Sequence, residues 1–209
     1  MRLHTYWRSS TSYRVRIALD LKGIAYEAVP VDLLAGQQNR ADHAALNPTR
    51  SVPVLELSDG TVLTQSMAIL DWLDETHPKP PLLPTGPAAR ARVRAAALAI
   101  ATEIHPINNL RVLDQLKSMG HGQAEIVDWM NTWMSRGLVA FAGMIANDTP
   151  FCFGKTPGLA DICLVPQLYN AHRWGCDLDP FRRLREIEAR CLALPAFDGA
   201  RPEQQHDAT

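Results

Sequence analysis

Apolar positions in the first part of the chain fall into short alternating runs separated by stretches of helical spacing. Residues 2–7 alternate as a half-buried strand does. The hydroxyl run Ser9-Ser10-Thr11-Ser12 follows, residue types that cap a helix N-terminus. Over 13–22, Val15, Ala18 and Leu19, and less cleanly Ile17 and Leu21, repeat at helical spacing, and Gly23 supplies the stop. Residues 26–33 are rich in strand formers, and 41–46 form a short helical segment ended by Asn47-Pro48. Runs 52–57 and 61–64 flank Ser58-Asp59-Gly60, a hairpin turn. Ser66 is the expected cap of a helix running through Ile69, Leu70 and Leu73 towards His77. This β-α-β, then β-β-α order predicts a small mixed sheet with helices on its faces.

Residues 77–84 carry four prolines, which neither a helix nor a central strand continues through. Beyond them strands vanish. The pattern predicts helices over 88–119, over 126–145 with Ile126, Trp129, Met130 and Trp133, over 159–174, and over 180–191. Residues 199–209 are polar and read as frayed. The expected domains are 1–80, a linker at 81–87, and an all-helical 88–209.

Composition narrows the function classes. Hydrophobic residues at 46% and charged residues at 21% are globular values, and a formal net charge of −1 gives no field favouring nucleic acid or an anionic membrane. No leader pattern opens the chain, and no run approaches the ~18–20 apolar residues that span a bilayer. A soluble, cytoplasmic protein is expected. Cys152, Cys163, Cys176 and Cys191 form no CxxC pair or zinc spacing, so buried thiols and no metal site are expected.

Residues 7–19, from Trp7 through the hydroxyl run to Leu19, resemble the opening of zeta-class glutathione transferases. So do Ala45-Leu46-Asn47-Pro48 with Val52-Pro53, Gln65-Ser66, and Glu103-Ile104-His105-Pro106-Ile107-Asn108-Asn109. The likeness runs from residue 1 to about 191 and is strongest to the bacterial maleylpyruvate isomerase branch, with the maleylacetoacetate branch next. It implies an α/β thioredoxin-like N-terminal domain, an all-α C-terminal helical bundle, glutathione as cofactor and a homodimer.

Each motif has a plain structural reading beside the implied one. Alone, the hydroxyl run is an ordinary N-cap. A glutathione enzyme, however, must favour the thiolate over a thiol of pKa near ~8.5, and hydroxyl donors at a helix N-terminus do this. The resemblance implies Ser9 as the main thiolate partner, with Ser10 and Thr11 beside it. Many zeta-class proteins carry cysteine where this chain has Thr11, so thiol exchange and reductive dehalogenation are not expected, while isomerisation needs no enzyme thiol. Val52-Pro53 alone is an edge proline; the resemblance implies that Val52 pairs with the glutathione backbone. Gln65-Ser66 is a helix start suited to a carboxylate, implied to bind the γ-glutamyl end, with Gln38 at the glycyl end. His105-Pro106 predicts a local kink, and His105, Asn109, Leu110 and Arg111 are implied to line the glutathione site. Single arginines are usually solvated, but the resemblance places Arg8, Arg111 and Arg173 around a small dicarboxylate, which guanidinium groups grip at two points.

The implied activity is glutathione-dependent cis–trans isomerisation of a maleyl keto acid, with Ser9, Thr11 and Arg8 catalytic. Maleylpyruvate to fumarylpyruvate is favoured over maleylacetoacetate. A general transferase conjugating electrophiles and a non-catalytic binding scaffold are the alternatives.

Overall fold

The computed structural model describes residues 1–209 and divides into two compact units, Met1–Pro81 with Leu192–Thr209, and Leu82–Cys191. The first unit therefore includes the tail that the sequence pattern assigns to the helical domain. In it, β1 (Arg2–Thr5), α1 (Ser10–Leu21), β2 (Glu27–Pro30), α2 (Ala41–Leu46), β3 (Val54–Glu56), β4 (Val62–Thr64) and α3 (Ser66–Thr76) follow the expected order. The sheet order is β2-β1-β3-β4. β1 runs parallel to β2, while the β1/β3 and β3/β4 pairs are antiparallel. This is the thioredoxin-like arrangement. The second strand is shorter than its sequence pattern, closing at Pro30, opposite Thr5 where its partner β1 ends.

Helix α1 is buried on nearly every side because α3 packs on one flank and α9 (Pro195–Gly199) on another. Two of its buried residues are arginines, Arg14 at 1% and Arg16 at 0% exposure. Residues 199–209 are not frayed. Ala200 and Pro202 are buried, and Arg16 Nε donates to Ala200 O at 3.1 Å.

A buried histidine makes this unit sensitive to acid. His4 on β1 has Nε2 3.3 Å from Glu56 Oε2. Burial holds its pKa below the ordinary 6.5 despite the opposing pull of Glu56, with His43 and Arg2 adding to the depression. The unfolded chain takes up a proton near pH 6.5 that the folded chain resists, so stability is lost as the pH falls below that value. Urea midpoints compared at about pH 7.5 and 5.5 should show this loss, and His4→Gln should diminish it.

The second unit is helical: α4 (Pro87–Leu98), α5 (Leu110–Ser118), α6 (Gln123–Ala142), α7 (Leu159–Arg173) and α8 (Arg182–Leu192), whose last residue returns to the first unit. The single long helix expected over 88–119 is instead interrupted. A π-helical turn occupies Ala99–Ile104, and α5 begins only after the His105-Pro106 corner. Gly137 of α6 leaves the room into which the buried Ile104 side chain packs. No helix is long and apolar enough to cross a membrane.

Helix α7 starts at Gly158, which has no side chain to serve as a cap. Asp161 fills part of that role: Oδ2 accepts from Gly158 N and Oδ1 from Cys152 N, both at 2.9 Å. A Cβ at position 158 would stand 2.8 Å from the Leu82 backbone carbonyl, the acceptor for Leu159 N. Cap propensity alone would make Gly158→Ser neutral or stabilising. The contact predicts a loss of about 1–2 kcal/mol instead, because backbone must shift, and thermal denaturation distinguishes the two.

Candidate active site

The turn from β1 into α1 gathers the hydroxyls. Ser9 is the N-cap of α1, with extended backbone, and its Oγ accepts from Ser12 N at 3.2 Å. Thr11 Oγ1 donates to Val52 O at 2.9 Å and lies 2.9 Å from Ser9 Oγ. Since Thr11 gives its hydrogen to a carbonyl, Ser9 is the donor within the hydroxyl pair. Ser9 thus has a movable O–H at the positive end of a helix, held by one N–H and one neighbouring oxygen. This arrangement favours an anion beside it. Ser10 is buried in the first turn. The Val52-Pro53 bond is cis, and Val52 is brought to the hydroxyls by the Thr11 bond, so three of the expected residues, Ser9, Thr11 and Val52, meet.

Arg8 lies against the same turn. Its guanidinium stacks 4.4 Å from the Trp7 ring centroid, and Nη2 donates to Tyr6 Oη at 3.3 Å. Its buried Nε has no hydrogen-bond partner, so the guanidinium has unused donor capacity.

The start of α3 differs in detail from the sequence expectation. Gln65, not Ser66, is the cap, and it holds a positive φ of 67° with ψ 113°. A side-chain-bearing residue there costs about 1–3 kcal/mol, a strain characteristic of ligand-facing positions. Ser66 is the first helical residue, 5% exposed, and its Oγ accepts from Arg14 Nη1 at 3.3 Å. A buried cation therefore backs the helix N-terminus, adding to the dipole's preference for a carboxylate. Gln38 sits in the 3₁₀ turn Gln37–Asn39, and its Nε2 donates to Leu33 O at 3.4 Å. Its Oε1 is buried without a partner, so this side chain is bonded to its own loop rather than to the hydroxyl cluster.

In the second unit, the π-helical turn delivers His105 to a corner that Trp129 Nε1 fixes by donating to Ile107 O at 3.2 Å. Asn109 caps α5, its Oδ1 accepting from Arg111 N at 3.3 Å, while Leu110 and Arg111 are exposed on the first turn. Arg173 ends α7 with its guanidinium 4.6 Å from the Trp174 ring centroid.

Residues 8–76 match the family model for the glutathione S-transferase N-terminal domain. The maleylacetoacetate isomerase of Pseudomonas aeruginosa is 44% identical over 209 residues, 99% of this chain and 98% of its own. A solved structure described as the holo form of a maleylpyruvate isomerase, a bacterial glutathione S-transferase of the zeta class, superposes with a TM-score of 0.97 at 44% identity over 100% of both chains. The chain belongs to the zeta-class glutathione transferase family. A further structure, the maleylacetoacetate isomerase of Methylobacterium extorquens AM1 with bound malonate and glutathione, has a TM-score of 0.96 at 38% identity, also over 100% of both chains.

For a zeta-class transferase, the sequence reading left out three residues that organise the site. Arg14 backs Ser66, Arg16 binds the Tyr6 and Trp7 carbonyls, and Asp207 accepts from Trp7 N. A pair of arginines bracketing Val15 inside an otherwise apolar helical stretch is the one signal that could have raised the first two. Nothing in a polar tail announces the third.

Proposed function

We propose that this chain catalyses glutathione-dependent cis–trans isomerisation of a maleyl keto acid, with maleylpyruvate going to fumarylpyruvate. The observation that carries the reading is the Ser9–Thr11–Val52 hydroxyl set at the start of α1, with a threonine at the position between Ser10 and Ser12. The residues fit glutathione: a donor hydroxyl for its sulfur, a strained helix start backed by buried Arg14 for a carboxylate, and an unpartnered Arg8 Nε beside them. Bound glutathione supplies a soft nucleophile able to add to a conjugated cis double bond and leave again after rotation.

The protein's part is positioning and charge. With glutathione bound, Ser9 would turn its O–H from Thr11 Oγ1 to the sulfur and hold it as thiolate, Ser12 N would keep Ser9 in place, Thr11 would stay beside it on Val52 O, and Ser10 would contribute from the first turn. Val52 meets the peptide backbone, Gln65 and Ser66 hold the γ-glutamyl carboxylate, and Gln38 reaches the glycyl end. Kinship assigns His105, Asn109, Leu110 and Arg111 to the same cofactor, and Arg8, Arg111 and Arg173 to the carboxylates and developing negative charge of the substrate. Malonate in the Methylobacterium relative supports a dicarboxylate-sized anion site.

The test is purified protein with glutathione and maleylpyruvate. Loss of the cis acid's absorbance with total glutathione unchanged is expected. Consumption of glutathione would favour the conjugating transferase, and no turnover with either maleyl acid overturns the proposal. Maleylacetoacetate is the second reading, favoured by the name of the Pseudomonas relative, and parallel kinetics on the two acids ranks them. We further propose a cytoplasmic homodimer. The four cysteines are buried and none forms a disulfide, which suits a reducing compartment, and light scattering should return twice the 23.2 kDa chain mass.

A further inference from the structure

The turn carrying Arg8 and Ser9 is closed by Ser9 N donating to Tyr6 O at 2.9 Å. Trp7 N and the Tyr6 and Trp7 carbonyls are met from outside the turn. Arg16 donates to Tyr6 O at 3.4 Å and to Trp7 O at 3.0 Å. Trp7 N donates to Asp207 Oδ2 at 3.1 Å, a partner 200 residues further along the chain. Asp207 is held in place to do this. Arg16 Nε binds Ala200 O at 3.1 Å, and Gln205 Nε2 binds Gly199 O at 3.1 Å and Arg201 O at 2.9 Å. Next to it, Ala208 packs against the buried cluster of Tyr6, Trp7, Val31 and Val52. The tail therefore touches both segments that hold the Ser9–Thr11 pair, the Trp7 turn and Val52.

We propose that Asp207 is a positioning residue for this site, fixing Trp7 so that the Ser9 hydroxyl and the Arg8 guanidinium are aimed at the cofactor and substrate. The coupling has a defined route. Trp7 carries Arg8 on its ring at 4.4 Å and lies two residues before Ser9 in the same turn. Without Asp207, the Trp7 N–H, in a residue only 8% exposed, has no acceptor, and the turn must tilt to reach water. The contact needs one oxygen acceptor: Oδ2 is bonded, while Oδ1 is buried with no partner. An asparagine placing its amide oxygen at Oδ2 keeps the contact, and alanine abolishes it.

The inference rests on the functional reading above and is tested with Asp207→Asn and Asp207→Ala in the full chain. Two readouts are used: isomerase kcat/KM, and the thiolate absorbance of bound glutathione titrated against pH. Asp207→Ala should lose about tenfold in kcat/KM, a sub-ångström misplacement in scale, and should form the bound thiolate at higher pH than wild type. Asp207→Asn should stay close to wild type in both. An alanine variant indistinguishable from wild type overturns the proposal. So does an equal loss in both variants that follows a lowered melting temperature, since that marks a structural role only. Failure of the functional reading shows separately, as absent turnover in the wild-type protein. The thiolate titrations across the three proteins still decide the role of Asp207.

Discussion

Arg16→Met is expected to destabilise the protein by about 3–5 kcal/mol, as removal of one member of a buried polar set does. The side chain is fully buried and donates to Ala200 O, Thr5 Oγ1, Tyr6 O and Trp7 O. Methionine fills similar space with no donor, so Ala200 O, Thr5 Oγ1 and Trp7 O lose this partner inside the fold, each worth about 1–3 kcal/mol if unrelieved, while Tyr6 O keeps the Ser9 N–H. Burial lowers the Arg16 pKa to about 10, with Tyr26, Tyr13, Asp207 and Asp20 opposing the shift, so the guanidinium stays charged at neutral pH. Against a usual total stability of about 5–15 kcal/mol, the loss is large. Urea denaturation measures it, with exposed Arg136→Met as a control expected to change stability by less than about 0.5 kcal/mol. A denaturation midpoint for Arg16→Met equal to that of the control would show that the four bonds contribute little.

Ser9→Ala is expected to lower kcat/KM by about 10²–10³-fold, the scale for deleting one preorganised donor to a developing or resident anion. The variant also loses a helix cap, because Ser9 Oγ accepts from Ser12 N, so a stability loss of about 1 kcal/mol accompanies it. Ser9→Asp separates the two effects. Aspartate restores the cap acceptor but donates no hydrogen and sets a second negative charge beside the sulfur. It should therefore melt near wild type yet remain as inactive as alanine. Activity in Ser9→Asp approaching that of wild type would remove Ser9 from the role of thiolate donor.

How much of this was legible in the sequence differs from element to element. The alternating strands, the Gly23 stop and the Ser58-Asp59-Gly60 hairpin are local signals, and the structure follows them. The cap at Ser9 was legible for the same reason. The burial of Arg14 and Arg16 was not, because α1 read in isolation offers a polar face, and the elements that cover it include α9 and Ala200, the latter 184 residues from Arg16. The tail failed as a reading on the same account: its polarity describes solvation of the free segment, whereas its order comes from Arg16 and Trp7. The π-helical turn at Ala99–Ile104 lacks a breaker before Pro106, and the space made by Gly137 on another helix accommodates Ile104. Serine usually caps a helix, but Ser66 does not. Arg14 draws it inward, and Gln65 takes the strained position instead. The cluster of Ser9, Thr11 and Val52 was anticipated only through kinship, since no spacing rule brings residues 41 apart into one bond.

Because Ala200, Asp207 and Ala208 complete the packing around β1 and α1, those two elements are synthesised well before the residues that cover them. A ribosome adding about 5–20 residues per second releases Arg16 long before its acceptor at position 200 leaves the exit tunnel, and until then a charged side chain faces an open groove. The nascent first unit spends that interval incomplete, with the helical unit free to fold ahead of it.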